Sequence, residues 1–114
     1  MHHDFPNDAD GDALRRLVSH GWDLSRPMLL DFQVAVPDEK SAKGLAEVAH
    51  QLGYRVTIYK SPECSLPFTC ECSTRMLASY DSVMAIQKEL AELAKPFAGR
   101  PDGWGSFGNS SDDQ

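Results

Sequence analysis

The chain has 114 residues and a mass of 12.6 kDa, with 11 basic and 17 acidic side chains and a formal net charge of −6. That length suits one domain and leaves no room for a second, while 41% hydrophobic and 25% charged residues exclude a disordered or fibrous chain. No run approaches 18 apolar residues, which excludes a membrane-spanning helix, and the acidic balance argues against a duplex-DNA binder, which needs clustered Lys and Arg.

Residues 1–7 read as a flexible leader, 8–108 as a single domain and 109–114 as a polar tail. The leader has neither a basic n-region nor an apolar h-region, so no secretory signal is expected. Asp8, Asp10 and Asp12 precede Leu14, Leu17 and Val18 at helical spacing, with Gly21 as a stop. This predicts a helix over 9–19 whose start is favoured by carboxylates. From Met28 to Val36 apolar residues alternate with Asp31 and Gln33, the pattern of a half-buried strand. Asp38 is placed to cap a helix over 39–52, with Ala42, Leu45, Ala46, Ala49 and Leu52 as its apolar stripe and Gly53 as its end. The β-branched and aromatic run 54–59 predicts a second strand. A connection follows, and then a third strand over 68–76 with Phe68, Cys70, Cys72, Thr74 and Met76 on one face. Ser79 caps the most regular helix, 80–95, whose stripe is Val83, Ile86, Leu90, Leu93 and Phe97 and which Pro96 and Gly99 terminate. A short, glycine-rich last strand is expected at an edge or rim.

Strand, helix, strand, strand, helix, strand is the order that right-handed crossovers fold into a ferredoxin-like βαββαβ sandwich, an α+β fold here extended by an N-terminal helix. Both main helices then cover one sheet face.

The side chains that could carry chemistry are few. Asp8-Ala9-Asp10-Gly11-Asp12 resembles the start of a calcium loop, but the sixth and twelfth positions are Ala13 and Ser19 instead of Gly and Glu. Helix capping accounts better for these aspartates. Cys70 and Cys72 alternate with Phe68 and Met76 as core filling does, and together with Cys64 they fall short of a four-ligand zinc set. Three cysteines are also too few for a disulfide framework, which favours the cytoplasm. His20 falls in the last turn of the first helix and His50 on the exposed flank of the second. Neither stands beside a Ser, Cys or paired carboxylate. There is no nucleotide-binding glycine loop, no zinc-protease motif and no nucleophile elbow. The third strand lacks the glycine and aromatic run of an RNA-binding sheet. The reading is therefore a protein with no enzymatic activity, no metal, no cofactor and no direct nucleic-acid partner. An acidic domain favours a basic protein partner, with the chain itself a monomer or homodimer. The mixed polar set Gln33, Thr57, Tyr59, Thr69, Glu71 and Ser73 on the uncovered sheet face leaves a small-molecule-sensing domain as the alternative.

Near the C-terminus, Asp102-Gly103-Trp104-Gly105-Ser106-Phe107 combines a turn signal with a Trp between glycines, able either to close the core or to anchor a partner. This segment resembles the terminal signature of the regulator of ribonuclease E activity B family, which reads Asp-Gly-Trp-Gly-Thr followed by an aromatic. Gly53-Tyr54-Arg55-Val56 resembles that family's helix end and second strand, so that the likeness covers about residues 28–108. The resemblance implies a bacterial, cytoplasmic, ferredoxin-like domain that binds ribonuclease E, notably its non-catalytic scaffold portion, and inhibits it without being a nuclease. It points to Asp102, Gly103, Trp104, Gly105 and Phe107 as partner-binding residues. The chain departs from the family's best-known members in having Asp112-Asp113-Gln114 where they carry a long acidic tail.

Overall fold

The computed structural model describes residues 5–61 and 65–106. The first helix, α1 (Ala9–Ser19), begins where Asp8 leaves the extended conformation and its carboxylate accepts the Gly11 N–H at 2.8 Å. Asp38 does the same for the Ser41 N–H at the head of α2 (Glu39–Gln51), and Ser79 for the Ser82 N–H at the head of α3 (Tyr80–Ala94). Each cap satisfies a donor that the first turn of a helix leaves without a partner. The leader residues nearest α1 are held down as well: Arg15 donates to the Phe5 and Pro6 carbonyls at 2.6 and 2.9 Å, and Phe5 packs against the core.

Four strands, β1 (Met28–Val36), β2 (Arg55–Lys60), β3 (Phe68–Met76) and β4 (Arg100–Ser106), form one sheet in the order β2-β3-β1-β4. Every neighbouring pair is antiparallel. The architecture is α+β, with three helices and an open four-stranded antiparallel sheet. As the alternation of β1 requires, Met28, Leu30, Phe32, Val34 and Val36 all point into the helix-covered layer and are buried. Leu14 and Leu17 of α1, Ala42, Leu45 and Ala49 of α2, and Val83, Leu90 and Ala94 of α3 close over them. Each fully buried large apolar side chain of this set stabilises by about 1.5–3 kcal/mol. Cys70 and Cys72 project into the same layer from β3, fully buried, and Cys70 Sγ lies 3.3 Å from the Ala42 carbonyl. Burial pushes their thiols up to about 11 and about 12. They are core filling, as their alternation with Phe68 indicates; Cys64 lies outside the described residues.

Two boundaries differ from the sequence reading for one reason. Leu52, expected in the stripe of α2, is the C-cap and is 54% exposed. Gly53, at φ +101°, donates to the His50 carbonyl and Tyr54 to the Ala49 carbonyl. In this left-handed closure the second residue after the cap returns to the core. Tyr54 is therefore buried where Leu52 was expected, and β2 begins one residue late, at Arg55. The end of α1 has the same bonds, Gly21 to Val18 and Trp22 to Leu17, and Trp22 is the aromatic that packs inward. At the end of α3 the expected stop is a single 3₁₀ turn, Lys95–Phe97, closed by Ala98 in the left-handed region.

Candidate functional site

β4 carries the signature up to Ser106 and forms one edge of the sheet. Its register against β1 runs Val34 to Pro101 and then Phe32 to Trp104, so Asp102 and Gly103 together stand opposite Gln33. This is a β-bulge, and Gly103 at φ +100° adopts the backbone that such a bulge assigns to glycine. The extra residue decides where the Trp points. It sets Trp104 opposite Phe32 on the helix-covered face, with the two rings stacked at 6.0 Å between centroids and 27° between planes. The indole Nε1–H donates to Asp10 Oδ1 at 2.9 Å, and Gln87 Nε2 donates to the same oxygen at 2.8 Å. One carboxylate of α1 thus ties β4 and α3 together. Two residues earlier, at the N-cap of α1, Asp8 adds a second tie, accepting the Tyr80 hydroxyl at 2.6 Å. That bond, followed by the one from the Gly11 N–H, holds the Asp8 carboxyl below the usual carboxylate range.

Of the five expected partner-binding residues, Asp102 and Gly103 are exposed at the bulge, while Trp104 and Gly105 are half-buried. Phe107 lies outside the described residues. Beside them a cleft of about 140 Å³ opens between α1 and β4, lined by Arg16 and His20 on one side and Trp104 and Gly105 on the other. The corner therefore offers a cation, an imidazole, the rim of an indole and, at the bulge, a carboxylate. The sequence drew attention to the β4 half of this corner through the Trp between glycines. It did not foresee the α1 half, because the Asp10 to Trp104 bond joins positions 94 apart and leaves no local pattern. The cluster Asp8, Asp10 and Asp12 was the only local trace of it.

The uncovered face has a different character. Glu71 accepts from Gln33 at 2.7 Å and from Tyr59 at 3.2 Å, and Ser73 donates to Asp31 at 2.6 Å. Gln33, Glu71 and Tyr59 are thus bonded to one another, as are Asp31 and Ser73, and Thr57 and Arg55 stand next to Glu71 and Ser73 in the register. His20 and His50 are exposed. Among the described residues, no group of three or more His, Cys, Asp and Glu side chains is placed to hold a metal ion, and no helix is long and apolar enough to cross a membrane.

Fold and site together define a small α+β protein in which a half-buried hydrogen bond ties an aromatic edge strand to an added N-terminal helix. A family model described as Regulator of ribonuclease activity B matches residues 7–106, from the residue before the cap of α1 to the end of β4, and the chain belongs to that family. A search of curated proteins returns no match.

Proposed function

We propose that this chain is a non-catalytic regulator that binds a ribonuclease E-type endoribonuclease in the bacterial cytoplasm and inhibits it, using the α1/β4 corner. The observation that carries this reading is the family match, which runs through the whole signature strand up to residue 106. The split βαβ order of a ferredoxin-like domain, proposed here for residues 8–108, accords with the strand order β2-β3-β1-β4 and brings both chain ends of the domain to that corner.

In this reading Trp104 and Gly105 supply the contact surface, Gly103 the bend that presents it, and Asp102 a rim charge, with Phe107 as the fifth partner-binding residue. An acidic protein of net charge −6 meets a basic partner segment with a raised association rate and a salt-sensitive affinity. The test is retention of the purified chain on immobilised endoribonuclease at low salt, read together with inhibition of RNA cleavage. Asp102→Lys is the informative variant, because an exposed rim side chain can be reversed without disturbing the core. Expected is weaker retention and weaker inhibition with an unchanged melting temperature. Wild-type chain that neither binds nor inhibits at low salt would end the proposal.

A further inference from the structure

The two edges of the sheet are built differently. β4 is blunted by Pro101, which has no N–H to offer, and by the bulge at Asp102 and Gly103, both recognised protections against edge-to-edge pairing. β2 has neither. Its six residues contain no Pro or Gly, their pairing with β3 runs without a shift from Arg55 opposite Ser73 to Lys60 opposite Phe68, and all except Val56 are exposed. Five large hydrophobic side chains are exposed among the described residues; two of them, Ile58 and Tyr59, lie on β2 and a third, Leu52, three residues before it. A strand of high β-propensity with apolar neighbours and an unpaired outer ladder is a template for another strand.

The geometry points to a second copy of this chain as that strand. We propose that β2 pairs antiparallel with β2 of another copy about a two-fold axis at Thr57, making one continuous sheet. Arg55, Thr57 and Tyr59 project to the uncovered face, Val56, Ile58 and Lys60 to the helix-covered one, as their partners Ser73, Glu71, Thr69 and Cys72, Cys70, Phe68 dictate. Matching the faces of two copies allows only two well-overlapped registers. Centred on Ile58, the pairing sets Val56 against the other copy's Lys60. Centred on Thr57, it sets Val56 against Ile58, covering the exposed isoleucine, and Arg55 against Tyr59. The Tyr59 hydroxyl already donates to Glu71 Oε1 at 3.2 Å, so the incoming guanidinium meets an aromatic face backed by a carboxylate. Two-fold symmetry repeats this complementary pair, which an unrelated strand has no reason to supply twice. Two six-residue strands bury less than a standard interface of about 1,200–2,000 Å², so the association is concentration-dependent.

The experiment is sedimentation equilibrium of the full chain from low micromolar to near-millimolar concentration. The mass is expected to rise from 12.6 kDa towards twice that value. Ile58→Lys and Arg55→Glu, each folded by circular dichroism, are expected to raise the midpoint concentration about tenfold, since each change acts twice across the axis. Thr57→Cys in a Cys64→Ser background should give a covalent dimer on mild oxidation, whereas Leu77→Cys, equally exposed but remote from β2, should not. A mass fixed at 12.6 kDa overturns the proposal, as does a dimer indifferent to both charged variants. A chain that stays monomeric but loses endoribonuclease binding on Ile58→Lys would assign the edge to the partner and likewise overturn it.

Discussion

Trp104 makes two separable contacts, a ring stack on Phe32 and one hydrogen bond to Asp10, and Trp104→Phe divides them. The phenyl ring retains most of the stack and loses the Nε1–H. A hydrogen bond to a charged acceptor is worth about 1.5–3 kcal/mol when buried. This one is half-buried and its acceptor keeps Gln87, so the expected loss is about 1–2 kcal/mol. Urea unfolding should show a lower midpoint at an unchanged slope, and for a domain of this size the melting temperature should fall by about 4–8 °C per kcal/mol. Trp104→Ala gives up the stack as well. A buried Trp to Ala change costs about 3–5 kcal/mol, and half-burial brings the ring's share to about 2 kcal/mol beyond the loss in Trp104→Phe. Asp10 lies in the first turn of α1, where a carboxylate also favours the helix dipole, so Asp10→Ala alone mixes effects. A double-mutant cycle between Trp104→Phe and Asp10→Ala removes that mixture and should return a coupling of about 1 kcal/mol. A Trp104→Phe protein as stable as wild type, with no coupling in the cycle, would refute the assignment of Asp10 as the group that locks β4 to α1.

Gly103→Ala should cost about 1–2 kcal/mol, because φ +100° brings an L side chain's Cβ against its own backbone. Gly105→Ala, at an ordinary φ with nothing within 4 Å of the added carbon, should lose much less; equal melting temperatures for the two variants would contradict the bulge. Cys70 and Cys72 should resist alkylation at neutral pH until the chain unfolds, and rapid labelling of both in the native protein would contradict their burial. Their raised thiol pKa values also fix a pH dependence. Below the ordinary thiol value of 9 both states are protonated and the stability is intact. Above it the unfolded chain loses protons that the folded one keeps up to about 11 and about 12, so unfolding midpoints should fall as pH rises through that window, by about 1.4 kcal/mol per pH unit for each thiol. Tyr54, raised by burial and then by its bond to Glu89, acts in the same direction, and a flat alkaline profile would argue against all three groups.

What the sequence made legible is what short-range physics decides. The bounds of α1, β1 and β3 follow from capping residues and strict apolar alternation, and Asp8, Asp38 and Ser79 act in the structure as their positions before each helix suggest. The exchange of Leu52 for Tyr54 was not legible from helical spacing, because the stripe continues on paper while Gly53 turns the chain. The glycine itself was the available signal, since a left-handed closure sends the second residue beyond the cap inward. The corner at Trp104 was half legible. The indole between two glycines drew attention by composition, but its direction depends on a bulge that counts residues against β1, and its partner lies on a helix at the other end of the chain. Such pairings become visible only once the sheet order is known.

That order has a consequence for how binding and self-association combine. In β2-β3-β1-β4 the two edges are separated by three strand spacings, about 14 Å, and their side chains share no hydrogen bond among the described residues. Pairing through β2 therefore leaves Trp104, Asp102 and the α1 cleft open on both copies, at the two far ends of a continuous sheet. Under the two proposals taken together, a dimer presents the α1/β4 corner twice, and a partner with more than one copy of the segment that the corner binds would be held by effective concentration as well as by contact affinity. Arg55→Glu separates the two contributions, because it touches only the β2 edge. Single-segment affinity should be unchanged, while retention on a multivalent partner should fall with the dimer. Equal losses in both measurements would place Arg55 in the partner contact itself and collapse the two surfaces into one.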